Sequence, residues 1–445
     1  MSPLLVLFAG LGLIIWFLRC DSQLRTLPSR GIWVPILWVA LFGSRSVSGW
    51  MGVLGMEIET SPRGNLVDST VYLTLIIAAL IVLYSRRIAW RAFLSSNKLL
   101  ILIYVYLVCT VAWADDGVST AKRALRDFGA VPVALVLLTE LDPIEAIRTV
   151  FVRVSYFIFT LSIIFIKWFP EIGRRPDRSG SSLFVGVTTH KNTLGLVVYV
   201  LSLFIIADIS ALQGQSPTRK HRVNLWIRYG MLAMAIWLLM TCDSMTSVIC
   251  LTLGTAIFHG AKLATRLGAP RKVILAAIIV LILGAAIEGT FHVSGLILQA
   301  VGRNPTLTGR TEIWEMVEKT QTKPLLGYGY YSYWDSKEAA PIVAMFLGTL
   351  KTIHNGYLEM YIDTGVVGLA LLLMLICQWG YRAVNHSLDA SLKGRLGLAF
   401  WGISIIYNFS ETSYFRAELL WFTLILMMIE YPRWALPQGA QQPAT

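Results

Sequence analysis

The sequence predicts an all-α polytopic membrane protein with about 12–13 transmembrane helices and a large periplasmic loop containing short helices. Three observations carry that prediction. The first is composition: of 445 residues, 56% are hydrophobic and only 14% charged, against roughly 45–50% and 25% in soluble domains. The second is that apolar runs recur along the whole chain, each near the ~20 residues that a helix needs to cross the hydrocarbon. The third is that every second loop between those runs is rich in Lys and Arg, which is how a polytopic chain marks its cytoplasmic side.

In order, the candidate spans are residues 3–18, 31–43, 68–85, 99–114, 127–141, 146–169, 187–211, 224–241, 245–261, 273–291, 357–381, 396–409 and 416–431. The basic loops hold Arg19, Arg25 and Arg30; Arg86, Arg87, Arg91 and Lys98; Arg148; Arg219, Lys220 and Arg222; Lys262, Arg266, Arg271 and Lys272; Arg382, Lys393 and Arg395; and Arg433. Those loops and the C-terminus are placed in the cytoplasm. The N-terminus and the loops near 44–67, 115–126, 170–186, 242–244, 292–356 and 410–415 are placed in the periplasm. The chain divides accordingly into N-terminal transmembrane helices (1–291), a periplasmic loop (292–356), C-terminal transmembrane helices (357–431) and a polar cytoplasmic tail (432–445).

Several function classes fall away on these grounds. The formal charge of +12 lies mostly in short loops, where orientation explains it, so nucleic acid is not an expected partner. Cys20, Cys109, Cys242, Cys250 and Cys377 sit in or beside apolar runs without metal-ligand spacing, and no metal site is expected. The run from Pro3 to Leu18 lacks a basic n-region and a cleavage signal, so it reads as a retained first helix. Internal repeats are not evident.

Charges that orientation does not explain need another reason. Lys122, Arg123 and Arg126 form one such patch, Arg174, Arg175 and Arg178 a second, and Arg310 stands in the long loop. Each patch has two readings, substrate contact or attachment to lipid headgroups. Arg174 and Arg178 share a face if their loop is helical. His190-Lys191 lies at the mouth of the seventh span, where Lys191 either binds substrate or snorkels to the interface. Asp243-Ser244 and Glu411 occupy short outer turns, where they either bind substrate hydroxyls or are there because turns favour such residues. Glu57-x-Glu59 has the alternative of an acidic, metal-dependent transferase site but is read as ordinary loop acids, since no partner carboxylates cluster with it in sequence.

The long loop carries the densest pattern. Gly309-Arg310-Thr311-Glu312-Ile313-Trp314 begins an amphipathic helix, because Ile313, Trp314 and Val317 fall on one face. Arg310 sits in its first turn, an electrostatically unfavourable place for a mere surface charge. Lys323-Pro324-Leu325-Leu326-Gly327-Tyr328-Gly329-Tyr330 ends that helix with Pro and Gly and starts an aromatic run, read mainly as interfacial, with sugar stacking as the alternative. His354-Asn355 follows, then nine residues, then Gly365-x-x-Gly368 at the start of an apolar helix.

This His-Asn…Gly-x-x-Gly pattern resembles the signature of the bacterial O-antigen ligase and O-antigen or exopolysaccharide polymerase superfamily of inner-membrane proteins. The Gly-Arg-Thr…Trp and Pro-Leu-Leu-Gly-x-Gly blocks precede it in the order that family shows, as does Thr189-His190-Lys191-Asn192-Thr193-Leu194-Gly195. Gly43-Ser44-Arg45 to Trp50 is similar to the N-terminal part of the exopolysaccharide branch. The resemblance covers residues 31–425, with 291–368 as its core. It implies metal-independent inverting glycosyl transfer without a cofactor, on the periplasmic face. The donor would be a glycan on undecaprenyl diphosphate, and the acceptor a lipid A core sugar or the end of another lipid-linked glycan, with a polysaccharide assembly complex as a possible partner.

Within that resemblance the catalytic candidates are His354, as general base toward the acceptor hydroxyl, and Arg310, as the cation that meets the developing diphosphate charge. A second duty for His354, donating a hydrogen bond to phosphate, stays open. Asn355 is a candidate to orient the His ring or a sugar hydroxyl. Lys122, Arg123, Arg126, Arg174, Arg175, Arg178, His190 and Lys191 are candidate substrate contacts, while Gly365 and Gly368 allow close helix packing. The rival from another class is a transporter or flippase of lipid-linked glycans, in which the same arginines bind without catalysis; a structural subunit is the third reading.

Overall fold

The computed structural model describes residues 2–25, 29–56, 65–176, 182–216, 218–267, 310–346, 352–388 and 391–432. The expected span at 273–291, the start of the outer loop, and Glu57, Glu59 and Arg178 lie outside them.

The architecture is all-α. In chain order the helices are α1 (Pro3–Ser22), α2 (Trp33–Phe42), α3 (Val47–Val53), α4 (Leu66–Ser85), α5 (Trp90–Ser96), α6 (Lys98–Cys109), α7 (Gly117–Phe128) and α8 (Ala130–Leu138). They continue with α9 (Pro143–Trp168), α10 (Pro170–Gly173), α11 (Lys191–Leu212), α12 (Arg219–Cys242) and α13 (Met245–Arg266). The last five are α14 (Arg310–Lys319), α15 (Ala340–Met345), α16 (Gly356–Leu388), α17 (Leu392–Ser410) and α18 (Leu419–Met428).

Among the described residues, seven helices are long and apolar enough to cross a bilayer, or up to nine if each of two bent pairs counts as one span. The bends are 58° between the Arg30–Phe42 and Val47–Val53 helices and 89° between the Trp90–Ser96 and Lys98–Ala112 helices. Two expected spans are shorter than read. The runs 127–141 and 416–431 contain helices of 9 and 10 residues, α8 and α18, in which every residue is buried. Their apolar character on all sides is that of a helix enclosed by protein, a case that hydropathy alone does not separate from lipid exposure.

The chain forms two compact units: Met1–Asn97 with Leu125–Thr255 and Phe415–Thr445, and Lys98–Ala124 with Ala256–Tyr414. In the first, α9 is the central helix. Asp142 caps it by accepting the Glu145 amide at 3.0 Å, Pro143 opens it, and most of its length is buried. A sealed ion network joins α9 to its neighbours. Asp208 of α11 accepts from Arg25, from Arg148 of α9 and from Arg228 of α12, each through a contact of 2.9 Å. Asp21 of α1 pairs with Arg153 at 2.7 Å and with Arg228, and Glu145 with Arg148 at 2.7 Å. Asp21, Asp208 and Arg228 are fully buried.

The first unit also holds two three-residue strands, β1 (Arg174–Pro176) and β2 (Ser182–Phe184), paired antiparallel with Arg174 opposite Phe184. Residues 174–176 are therefore extended, so a shared helical face of Arg174 and Arg178 does not begin at Arg174, and Arg178 lies outside the described residues. Pro176 lacks a backbone N–H, and it follows two residues held in extended pairing rather than in a helical turn.

In the second unit, α16 and α17 form an antiparallel hairpin and α6 packs on α16. Helix α16 is broken at Gly365, whose φ of 66° lies in the left-handed region. The Pro324–Gly327 turn docks backbone to backbone on that break. Val366 N–H donates to Pro324 O at 2.9 Å, Tyr328 N–H to Ile362 O at 3.1 Å and Gly329 N–H to Asp363 O at 2.8 Å. A Cβ on Gly365 would stand 2.2 Å from Leu325 O, and one on Gly327 2.5 Å from the Asp363 carbonyl. Close approach was expected of Gly365, but its partner is a loop rather than another helix.

Candidate functional site

Helix α14 forms where the periodicity placed it. Ile313 and Val317 are buried with Tyr328, Tyr333, Ile342, Ile353 and Ile362, and Trp314 Nε1 donates to Ile353 O at 2.9 Å. This packing fixes the helix and with it Arg310, its first residue. The aromatic run proves to be core: Tyr328 and Tyr333 are fully buried and Tyr330 nearly so, and Tyr328 Oη donates to Thr320 O at 2.8 Å. Neither interface nor sugar stacking explains it.

Arg310, Glu411 and His354 meet. Arg310 Nη2 pairs with Glu411 Oε1 at 2.8 Å, its Nη1 donates to Ser410 O, and Glu411 Oε2 contacts His354 Nδ1 at 2.9 Å. Glu411 thus bridges the two residues named as catalytic candidates. The side chains are 14% (Arg310), 10% (Glu411) and 29% (His354) exposed, so the imidazole is the most open of the three. A carboxylate on Nδ1 fixes the ring and leaves Nε2 to face a substrate.

Buttressing is dense. Glu359 on the first turn of α16 is nearly buried, and its Oε2 accepts from Thr412 Oγ1 at 2.6 Å, Thr352 Oγ1 at 3.1 Å and Ile353 N–H at 3.4 Å. It ties the strand of chain before His354 to the turn after Glu411. Gly356 N–H donates to Glu411 O at 3.0 Å, and Asn408 Oδ1 accepts from Ser413 N–H at 2.9 Å. Only glycine fits at 356, since a Cβ there would stand 2.1 Å from Asn408 Oδ1. His354 itself adopts φ 55°, a left-handed conformation costing ~1–3 kcal/mol in a non-glycine residue. That strain persists because the hydrogen bonds on both sides over-determine it.

Charge follows the same logic. Burial alone would raise the Glu411 carboxyl, but the hydrogen bond from His354 and the charge of Arg310 outweigh it and hold the group below its ordinary value. The site therefore contains a carboxylate, a guanidinium of which two N–H groups are engaged, and an oriented imidazole. That set can take a proton at Nε2 and present positive charge beside it.

The other candidates are distributed more widely. Asn355 Oδ1 accepts from the Tyr357 and Leu358 amides, each at 3.1 Å, so it caps α16, and Glu411 rather than Asn355 holds the His ring. Arg123 of α7 donates to Tyr331 O at 2.7 Å and lies over the Tyr331 ring, securing the aromatic loop. Lys122 is exposed. In the first unit, Arg126 pairs with Asp127 at 3.0 Å, Arg174 Nε donates to Ile166 O at 2.8 Å, and Arg175 is exposed. His190 Nδ1 caps α11 by accepting the Asn192 amide at 3.3 Å, and Lys191 stands 3.9 Å from Asp243. Sequence reasoning weighed Glu411 as a turn acid or a binder of substrate hydroxyls, not as the partner of His354 and Arg310. Its signal was an acidic residue in a short turn placed on the same side of the membrane as His354.

Comparison with known proteins agrees with the motifs. Residues 229–373 match the family model described as O-Antigen ligase, a region that includes Arg310, His354 and the Gly365 break and ends before Glu411. Over 283 residues the chain is 27% identical to the exopolysaccharide production protein ExoQ of Rhizobium meliloti (strain 1021). The match covers 61% of this chain and 62% of that relative, less than two thirds of its length. The motifs in order, the all-α membrane fold and both matches agree in making this chain similar to proteins of the O-antigen ligase and O-antigen polymerase type.

Proposed function

We propose that the protein is a membrane glycosyltransferase that moves a glycan from undecaprenyl diphosphate to a sugar hydroxyl on the periplasmic face, with inversion and without a metal. The observation that carries this reading is the Arg310–Glu411–His354 constellation. His354 Nε2 takes the proton from the acceptor hydroxyl as its oxygen attacks the anomeric carbon. The bond from that carbon to the diphosphate oxygen breaks, and the diphosphate leaves with the electron pair. Glu411 keeps Nδ1 protonated and stabilises the imidazolium that forms. The N–H groups of Arg310 not engaged by Glu411 and Ser410 meet the leaving charge, where a guanidinium offers permanent, paired donors.

The donor's apolar tail has a matching place in the same unit. An open groove of about 530 Å³ begins at Asn355, the residue after His354, and is lined by Leu358, Leu369, Leu373, Ile376, Ile405 and Phe409. It is almost wholly apolar at one end of a polar site, as a lipid-linked diphosphate requires. The relative named for exopolysaccharide production favours chain growth, with the end of another lipid-linked glycan as acceptor.

The test is transfer by purified protein in liposomes with lipid-diphosphate-linked glycans and excess EDTA, for wild type beside His354→Ala and Arg310→Ala. Product that survives EDTA and is lost in both folded variants supports the reading. Wild-type protein that forms no product but moves the lipid across the bilayer would replace it with the transporter.

A further inference from the structure

The hairpin of α16 and α17 has a second polar end that the His354 site does not use. Ser391 caps α17 by accepting the Gly394 amide at 3.1 Å. Gly394 is pressed on the last turn of α16, since a Cβ there would stand 2.2 Å from His386 O. That contact sets the next residue, Arg395, which is only 8% exposed. Its guanidinium lies over the Phe258 ring of α13 at 4.6 Å, and its Nε and Nη1 are buried without a hydrogen-bond partner among the described residues. Lys262 follows Phe258 by one turn of α13, and His259 is within electrostatic reach of both Arg395 and Lys262.

A buried guanidinium with two unanswered donors is destabilising unless an acceptor meets it, and an anion meets the charge as well. The surroundings select the anion. The positive end of the α17 dipole, a guanidinium and an ammonium one helical turn from Phe258 are what phosphate takes, and the Phe258 face holds the guanidinium plane. Helix α16 is one of the candidate spans, and α17 returns antiparallel along it, so at ~1.5 Å per residue Arg395 lies roughly 24 Å from Glu411 along the hairpin, at its end away from the His354 site. The Arg395 end therefore falls at the headgroup level of the other leaflet.

We propose that Arg395, with Lys262 and the N-terminus of α17, binds the phosphate of an anionic phospholipid in the leaflet opposite the reaction site. The competing occupant is Asp389, the acid in the connection from α16 to α17, which lies outside the described residues. The whole protein would be studied by native mass spectrometry and thermal melting in detergent, with phosphatidylglycerol, phosphatidylcholine or inorganic phosphate added, for wild type, Arg395→Gln, Lys262→Gln and Asp389→Asn.

The expected result is that phosphatidylglycerol, but not phosphatidylcholine, binds and raises the wild-type melting temperature. Its affinity falls about tenfold in Arg395→Gln, equivalent to about 1.4 kcal/mol, falls less in Lys262→Gln and holds in Asp389→Asn. If Arg395→Gln does not fold, loss of affinity in the more exposed Lys262→Gln carries the test. Equal lipid affinity in all four proteins overturns the proposal. So does a lipid-free loss of stability in Asp389→Asn that matches Arg395→Gln, which makes the carboxylate the partner. A full effect from inorganic phosphate alone makes this a free-anion site and also overturns it.

Discussion

Two ion networks, one in each unit, use the same chemical parts to opposite ends. In the first unit, Asp21 of α1 and Asp208 of α11 are fully buried and draw in Arg148 and Arg153 from α9, Arg228 from α12 and Arg25 from the segment after α1. Both carboxylates are saturated by arginines, and neither has an open side. In the second, Glu411 holds Arg310 through one oxygen and His354 through the other, and the imidazole remains nearly a third exposed. A closed network fixes helices, while an open one keeps a titratable group facing the outside. The difference lies less in residue types than in whether the last member of the network has a free nitrogen.

The largest effect should come from breaking the closed network. Asp208→Ala removes the carboxylate that Arg25, Arg148 and Arg228 share and leaves them only Asp21 and the part-exposed Glu145, and removing one partner from a buried ion pair costs roughly 3–5 kcal/mol. The expected outcome is a strongly lowered melting temperature and poor yield, with transfer activity per folded molecule close to wild type. Lost activity in a fully stable Asp208→Ala protein would show that the first unit also does chemistry.

The open network should behave in reverse. His354→Ala is expected to lower transfer by about 10²–10⁴-fold, the usual worth of general base catalysis, with the melting temperature nearly unchanged. Glu411→Gln keeps the shape of the bridge and removes its charge, so transfer should fall by a smaller factor while lipid-linked donor still binds. A Glu411→Gln protein with full activity would leave His354 without its orienting group and would separate the two residues.

Much of this was legible before the structure and some was not, for physical reasons. Helix α14 was read from the spacing of Ile313, Trp314 and Val317, and it forms because those residues bury against Tyr328 and Ile353. His354 and Arg310 were visible through local motifs. Glu411 is 57 residues from His354 and 101 from Arg310, and a bridge between distant segments leaves no local pattern. Positive-inside topology accounted for Arg25 and Arg148 so completely that their buried partners went unread. The unread signal was Asp208, a lone carboxylate in the apolar run of α11, which only a partner could keep there. At Arg174 the condition for a face shared with Arg178, a helical loop, is not met, because residues 174–176 pair as a strand.

Acid sharpens the comparison further. Glu411 is held below its ordinary value of 4.5, so the folded protein binds this proton less readily than the unfolded chain. Its stabilising contribution is therefore complete above the ordinary carboxylate range and is lost as pH falls through the depressed value. The melting-temperature gap between wild type and Glu411→Gln should stay constant from neutral pH down to about 5 and close below the unfolded value near 4.5. A gap that closes near neutrality would instead mark a protonated Glu411 in the working enzyme.

The smallest expected effects come from neighbours in one basic patch, which were equal in sequence. Arg123 donates to the Tyr331 carbonyl at 2.7 Å and stands 3.5 Å from a half-exposed Asp335. Arg123→Ala leaves that carbonyl short of a partner, so a loss of about 1–2 kcal/mol is expected, together with a weakened loop over the Gly365 break. The ion pair with Asp335 adds little, because solvent screens it. Lys122 is exposed, and Lys122→Ala should shift stability by no more than about 0.5 kcal/mol. Activity on lipid-linked donor decides between the two readings of Lys122. If Lys122→Ala raises KM for donor while kcat and melting are unchanged, the residue binds substrate. If only adhesion to anionic liposomes changes, it is a headgroup contact, and the working cations of this unit reduce to Arg310 and its neighbours.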